Sequence, residues 1–159
     1  MKTLYVQDGE GFREADSEDV IRKARAIVLR RFRIGAPALT TPCKMREYLQ
    51  LHIGPLDYEV FGVVYLDARR RLIKVEDLFR GTVDCAQVYV REVVHGTLRN
   101  GASAVVAFHN HPSGGIDPSP ADDATTQRLK AALALIDVQL LDHLIVGARV
   151  FSFAENGLL

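Results

Sequence analysis

The sequence predicts an α/β domain, a mixed β-sheet flanked by helices. Three observations carry that prediction. The apolar run Ala104, Val105, Val106, Ala107, Phe108 is followed by a Pro- and Gly-rich turn, a helical pattern from Ser119, and another apolar run from Val138. This strand-helix-strand alternation builds a sheet with helices against its faces. Residues 58–66 and 72–79 flank the charged turn Asp67-Ala68-Arg69-Arg70-Arg71 as a hairpin, and residues 138–146 and 149–153 flank Gly147-Ala148 as another. Hairpins at both ends make the sheet mixed.

Composition sets the outer bounds. A chain of 159 residues is large enough for one domain with a real core. Its 20 basic and 20 acidic side chains cancel, so net charge favours neither nucleic acid nor an acidic membrane as a partner. No apolar run approaches the ~20 residues of a membrane span, and no signal peptide opens the chain, so a cytoplasmic location is expected. Cys43 and Cys85 form no CxxC and read as small apolar fillers. Residues 1–40 read as an N-terminal helical lead and 41–159 as the α/β domain, packed as one unit.

In chain order, residues 1–16 form a polar turn or small edge strand. Ser17, Glu18 and Asp19 open a helix with acids in its first turn. Val20, Ile21, Ala24, Ile27, Val28 and Leu29 give it an apolar stripe; Arg22, Lys23, Arg25, Arg30, Arg31 and Arg33 cover the rest. That basic face can touch DNA phosphates, but a solvated surface explains it more simply. Gly35 and Pro37 mark a linker. Thr41-Pro42 opens a second helix running to about His52, ended by Gly54, with Met45, Tyr48 and Leu49 inward. Residues 58–66 read as an interior strand apolar on both faces except at Glu59. On the return strand Glu76 and Asp77 are expected to be exposed. Residues 88–100 are helical through Val90, Val93, Val94, Thr97 and Leu98, and close on Asn100-Gly101. The helix from Ser119 runs to about Ile136 with Leu129, Ala132, Leu133 and Ile136 inward. Residues 155–159 read as a tail.

The chemistry concentrates in His109-Asn110-His111-Pro112-Ser113-Gly114-Gly115-Ile116-Asp117-Pro118-Ser119-Pro120-Ala121-Asp122. Histidines two apart at a strand end project to one side. Ser119 at the cap, Pro120 at the first helical position and an acid at the third make a strong helix start. His109, His111 and Asp122 therefore form a candidate ligand set. Two nitrogens and one oxygen leave one position open on a tetrahedral ion, which suits a catalytic Zn2+, although iron, manganese or nickel would also accept such a set. Asp117 is the rival carboxylate, better explained by turn hydrogen bonding. His143 reads as a satisfied core histidine, with a supporting role behind the ligands as the alternative; Asn110 reads as a loop hydrogen-bonder, Ser113 as a turn residue, and His52 and His95 as surface or packing residues. A base is also needed. Spacing alone leaves Glu59, Glu76 and Glu92 open, but Glu59 is the acid least explained by solvation.

The run His-x-His-Pro, then Ser119 with Asp122 three residues later, resembles the JAMM motif of MPN/JAB-domain zinc peptidases. Together with Leu78-Phe79-Arg80-Gly81-Thr82 and Arg91-Glu92-Val93-Val94, it resembles the RadC family, the bacterial branch of that group, over roughly residues 40–159. The resemblance implies a cytidine-deaminase-like architecture. It also implies zinc on His109, His111 and Asp122, Glu59 as general base and acid, and Ser119 as oxyanion donor. A peptide or protein substrate follows, with ubiquitin-like conjugates among the possibilities. Tyr89-Val90-Arg91-Glu92 stands where the family run is expected to read Tyr-Pro-Arg-Glu, which removes a rigid helix start and touches no ligand. Longer relatives carry a helix-hairpin-helix segment that this sequence has no room for, which weakens a nucleic-acid role. The alternative function is a DNA repair or recombination accessory protein with a structural metal site. Oligomeric state is not specified by these patterns.

Overall fold

The computed structural model describes residues 3–9, 11–31, 42–81 and 88–159, with side chains described from 42 onward and, before that, for all but Arg25 and residues 28–31. Its elements are β1 (Tyr5–Asp8), β2 (Gly11–Glu14), α1 (Ser17–Arg31), α2 (Pro42–His52), β3 (Val60–Leu66), β4 (Leu72–Arg80), α3 (Val90–Arg99), β5 (Ala104–Asn110), α4 (Pro120–Ala134), β6 (Gln139–Val146) and β7 (Val150–Ser152). The expected linker at Gly35 and Pro37, the cap at Thr41, and Cys85 lie outside the described residues.

Five strands form one sheet in the order β4-β3-β5-β6-β7. Only β5 and β6 run parallel, joined through α4; the other neighbours are antiparallel. The sheet is therefore mixed, as predicted. Strand alternation sends Ala104, Val106 and Phe108 into a core with Met45, Tyr48 and Leu49 of α2, and Val105 and Ala107 into a second core with Val93 of α3 and Leu129 and Leu133 of α4. Each fully buried leucine contributes about 1.5–3 kcal/mol. Gly62 makes this packing possible, because a Cβ there would stand 2.2 Å from the Phe108 ring.

Several expectations need correction. Glu59 lies one residue ahead of β3, not inside it, and is half-buried at the strand's mouth. The strand carrying His109 extends to Asn110. The helix α1 opens at Ser17 with its acids in the first turn as expected, and Asp16 before it accepts from the Asp19 amide at 2.8 Å. Asp19 is buried and held by Arg13 at 2.6 Å. Val20 and Ile27 of the supposed apolar stripe are exposed, as is Leu98 of α3. Glu76 is partly shielded, bridged by Lys74 and Arg99. Gly54 follows α2 without a left-handed backbone; its role is close approach, since a Cβ would meet the Gln50 carbonyl. Residues 155–159 are anchored, with the Leu158 amide donating to Phe153 O at 2.9 Å and Leu159 packed on the α3/α4 core. Among the described residues, no helix is long and apolar enough to cross a membrane.

Candidate metal centre

The centre forms where the end of β5 meets the start of α4. His109 is the sixth residue of β5 and His111 follows the strand, so both rings point to the α3/α4 face. Ser119 caps α4 in a capping box: its Oγ accepts the Asp122 amide at 3.2 Å, while Asp122 Oδ2 accepts both the Ser119 amide and the Ser119 hydroxyl at 2.7 Å. Such a cap contributes about 1 kcal/mol, and here it also fixes the carboxylate. Oδ2 is committed to the cap, leaving Oδ1 to face His109.

Ligand atoms of His109, His111 and Asp122 all lie within 4.8 Å of one another. His109 Nε2 is 3.1 Å from His111 Nε2 and 3.2 Å from Asp122 Oδ1; His111 Nε2 is 3.8 Å from Asp122 Oδ2. Ligands about 2.0–2.1 Å from a tetrahedral ion stand about 3.3 Å apart along each edge. The two edges at His109 match that spacing, and all three donors lie close enough together to share a divalent ion with an open fourth position.

A hydrogen-bond chain behind His109 decides which ring nitrogen is free. Thr126 Oγ1 lies 2.7 Å from the Asp122 carbonyl, which only accepts, so its single proton goes there. The same oxygen is 2.6 Å from His143 Nδ1 and must accept from it. His143 Nε2 is then the unprotonated nitrogen, and it takes a hydrogen bond from His109 Nδ1 at 2.8 Å. That leaves the lone pair of His109 Nε2 aimed at the ligand triangle. Burial pushes the pKa of both histidines down, so both stay neutral. His143 is thus more than the core histidine expected. Its signal in the sequence was an ionisable residue in an apolar strand, and pairing with β5 supplies the rest.

Glu59 enters from the position just ahead of β3. Phe61 pairs with His109, and continuing that antiparallel register by two residues brings Glu59 opposite His111. Three main-chain groups around it are tied down. Asn110 Oδ1 accepts the Val60 amide at 2.7 Å, Asn110 Nδ2 donates to Tyr58 O at 3.0 Å, and the Gly81 amide donates to Glu59 O at 2.8 Å. Asn110 is buried on the sheet's other face, so its amide replaces the strand ladder where the backbone ends. Burial raises the Glu59 pKa; the Asp122 charge adds to this and His111 opposes it. Glu59, His109, His111, Ser119, Asp122 and His143 line one cavity of about 160 Å³.

The other residues singled out lie elsewhere. Asp117 is exposed and outside the ligand group, Ser113 accepts the Gly115 amide at 3.4 Å, and His52 pairs with Asp77 at 2.9 Å. His95 and Cys43 are exposed. A separate cavity of about 280 Å³ around Met45 and Leu144 is lined by no candidate site residue.

The RadC-like JAB domain model matches residues 39–158 of this chain. The chain belongs to the RadC family. RadC-family relatives carry the name UPF0758 protein: one from Variovorax paradoxus is 58% identical over 75% of this chain, and one from Leptothrix cholodnii 54% over 77%. The chain spans 53% and 56% of those two proteins, about half their length. A Vibrio cholerae relative is 43% identical over 98% of this chain and 97% of its own length. The RadC fold seen here, a five-stranded mixed sheet with helices on both faces, agrees with the JAB architecture.

Proposed function

We propose that this RadC domain is a zinc-dependent hydrolase that cleaves a peptide or isopeptide bond. The observation that carries the reading is the meeting, in one small cavity, of a three-donor ligand triangle and a carboxylate whose pKa is raised. His109, His111 and Asp122 hold the ion. An ion held there supplies Lewis acidity and brings the pKa of bound water from ~15.7 to about 7. Glu59 does the proton work. Its carboxylate accepts the water proton as the carbonyl is attacked, then delivers it to the departing nitrogen. A raised pKa suits both halves of that cycle, because the group must be ionised to accept and acidic enough to donate. Ser119 holds Asp122 through its hydroxyl, and turning that proton toward substrate makes it the oxyanion donor.

The test combines elemental analysis of the purified full chain with a peptide-library digest, on wild type, His109→Ala and Glu59→Gln. One equivalent of zinc in wild type and Glu59→Gln, with turnover lost in both variants, is the expected result. Turnover unchanged in Glu59→Gln removes the assigned base. A metal-replete protein that cleaves no library member favours the accessory-protein reading instead.

A further inference from the structure

Beside the metal centre a second cavity of about 460 Å³ is lined by Asp57, Tyr58, Glu59, Arg80, His111 and Pro112, among others. It shares Glu59 and His111 with the centre, so the two are contiguous. The Arg80 guanidinium carbon lies over the Tyr58 ring, 3.6 Å from its centroid. Arg80 makes no ion pair among the described residues, although Asp57 and Glu59 line the same space. Its platform is fixed: Tyr58 O is held by Asn110, Arg80 pairs with Val60 across the β3/β4 ladder, and Gly81 holds Glu59 O.

We propose that Arg80 reads a carboxylate on the substrate, next to the bond that is cut. This deepens the hydrolase reading and rests on it. Stacking occupies the face of the guanidinium and leaves its edge donors in a planar fork, the geometry that binds a carboxylate through two parallel hydrogen bonds. An arginine kept for stability alone would be expected to reach one of the acids on the same rim. Here the ring orients it instead, and among the described residues no acid is paired with its charge. The carboxylate is either the free C-terminus of a peptide or an acidic side chain flanking the scissile bond.

The test uses the zinc-loaded full chain carrying Glu59→Gln, which separates binding from turnover. Its probes are fluorescent peptides matched except in charge. One pair differs as free C-terminal carboxylate against amide, the other as internal Glu against Gln. The carboxylate member of one pair should bind about tenfold more tightly, a difference of about 1.4 kcal/mol. Arg80→Ala should abolish that preference, and Arg80→Lys should keep part of it, which separates lost charge from a damaged fold. The pair that shows the preference identifies the source of the carboxylate. Equal binding within both pairs, a preference that survives Arg80→Ala, or no binding of any peptide overturns the proposal. If the preference depends on Arg80 while wild type cleaves nothing, the hydrolase reading fails and the carboxylate site stands.

Discussion

His109 Nδ1 lies 2.8 Å from His143 Nε2, and this contact makes the protonation of one ligand depend on the backbone of α4. Thr126 is the link, held between the Asp122 carbonyl and His143. Thr126→Val keeps the shape and removes the acceptor, so the His143 tautomer is no longer dictated. Zinc affinity should fall about tenfold in Thr126→Val and by about 10–100-fold in His143→Ala, the range for losing a partner of a metal-bound histidine. Chelator competition measures both. Unchanged affinity in the two variants would show that the chain is packing alone.

Glu59 gives a prediction with a definite sign. Its folded pKa is raised, with burial as the main cause. An acid with a raised folded pKa favours folding below its unfolded pKa, and that advantage is lost as pH rises through the folded value. In metal-free protein, Glu59→Gln should therefore gain stability relative to wild type as pH is raised from about 4 toward neutrality. Urea midpoints across that window provide the measurement. A gap that is constant with pH would mean the carboxylate is not desolvated.

Asn110 supports that acid from the opposite face of the sheet. Asn110→Ala orphans the Val60 amide and the Tyr58 carbonyl, and each buried group left unpaired costs about 1–3 kcal/mol. The expected loss is about 2–4 kcal/mol, with turnover falling as well because the Glu59 backbone loses two of its three ties. Asn110→Asp should not rescue it, since an acceptor would then face the Tyr58 carbonyl. Denaturant melts and peptide turnover on the same preparations decide the point.

The sheet, its hairpins and the ligand triangle were legible in the sequence for physical reasons. The apolar run before His109 and the Ser119–Asp122 cap are short-range signals, and each fixes the direction of a side chain. What was illegible is long-range. Asn110 looked like a loop residue because its two partners lie 50 and 52 positions earlier. His143 looked like core because its link to His109 needs the β5/β6 register. Glu59 was singled out for being inside an apolar strand, and it lies just outside one, lining the cavity that holds the ligand triangle. In α1 the helical period was present, yet Val20 and Ile27 face solvent, because periodicity shows that a face exists and not what covers it.

Gly147 and Gly115 face each other across the loop that carries His111 and leads to Ser119, and they predict opposite outcomes. A Cβ on Gly147 would stand 2.2 Å from Gly115 O and 2.6 Å from Gly114 O, both backbone atoms. Backbone cannot rotate aside, so the loop must move. That loop is tied at the same place by Ala148 donating to Gly114 O and His111 donating to Val146 O, each at 2.9 Å. A Cβ on Gly115 meets only Ser113 Oγ, at an ordinary 3.6 Å. Gly147→Ala should therefore cost about 1–3 kcal/mol, as overpacking does. It should also weaken zinc binding by shifting His111, though it removes no ligand. Gly115→Ala should stay within about 0.5 kcal/mol of wild type. Thermal melts with and without zinc distinguish the cases: the zinc-induced rise in Tm should shrink in Gly147→Ala and persist in Gly115→Ala. Equal rises would mean that the turn does not set the position of His111.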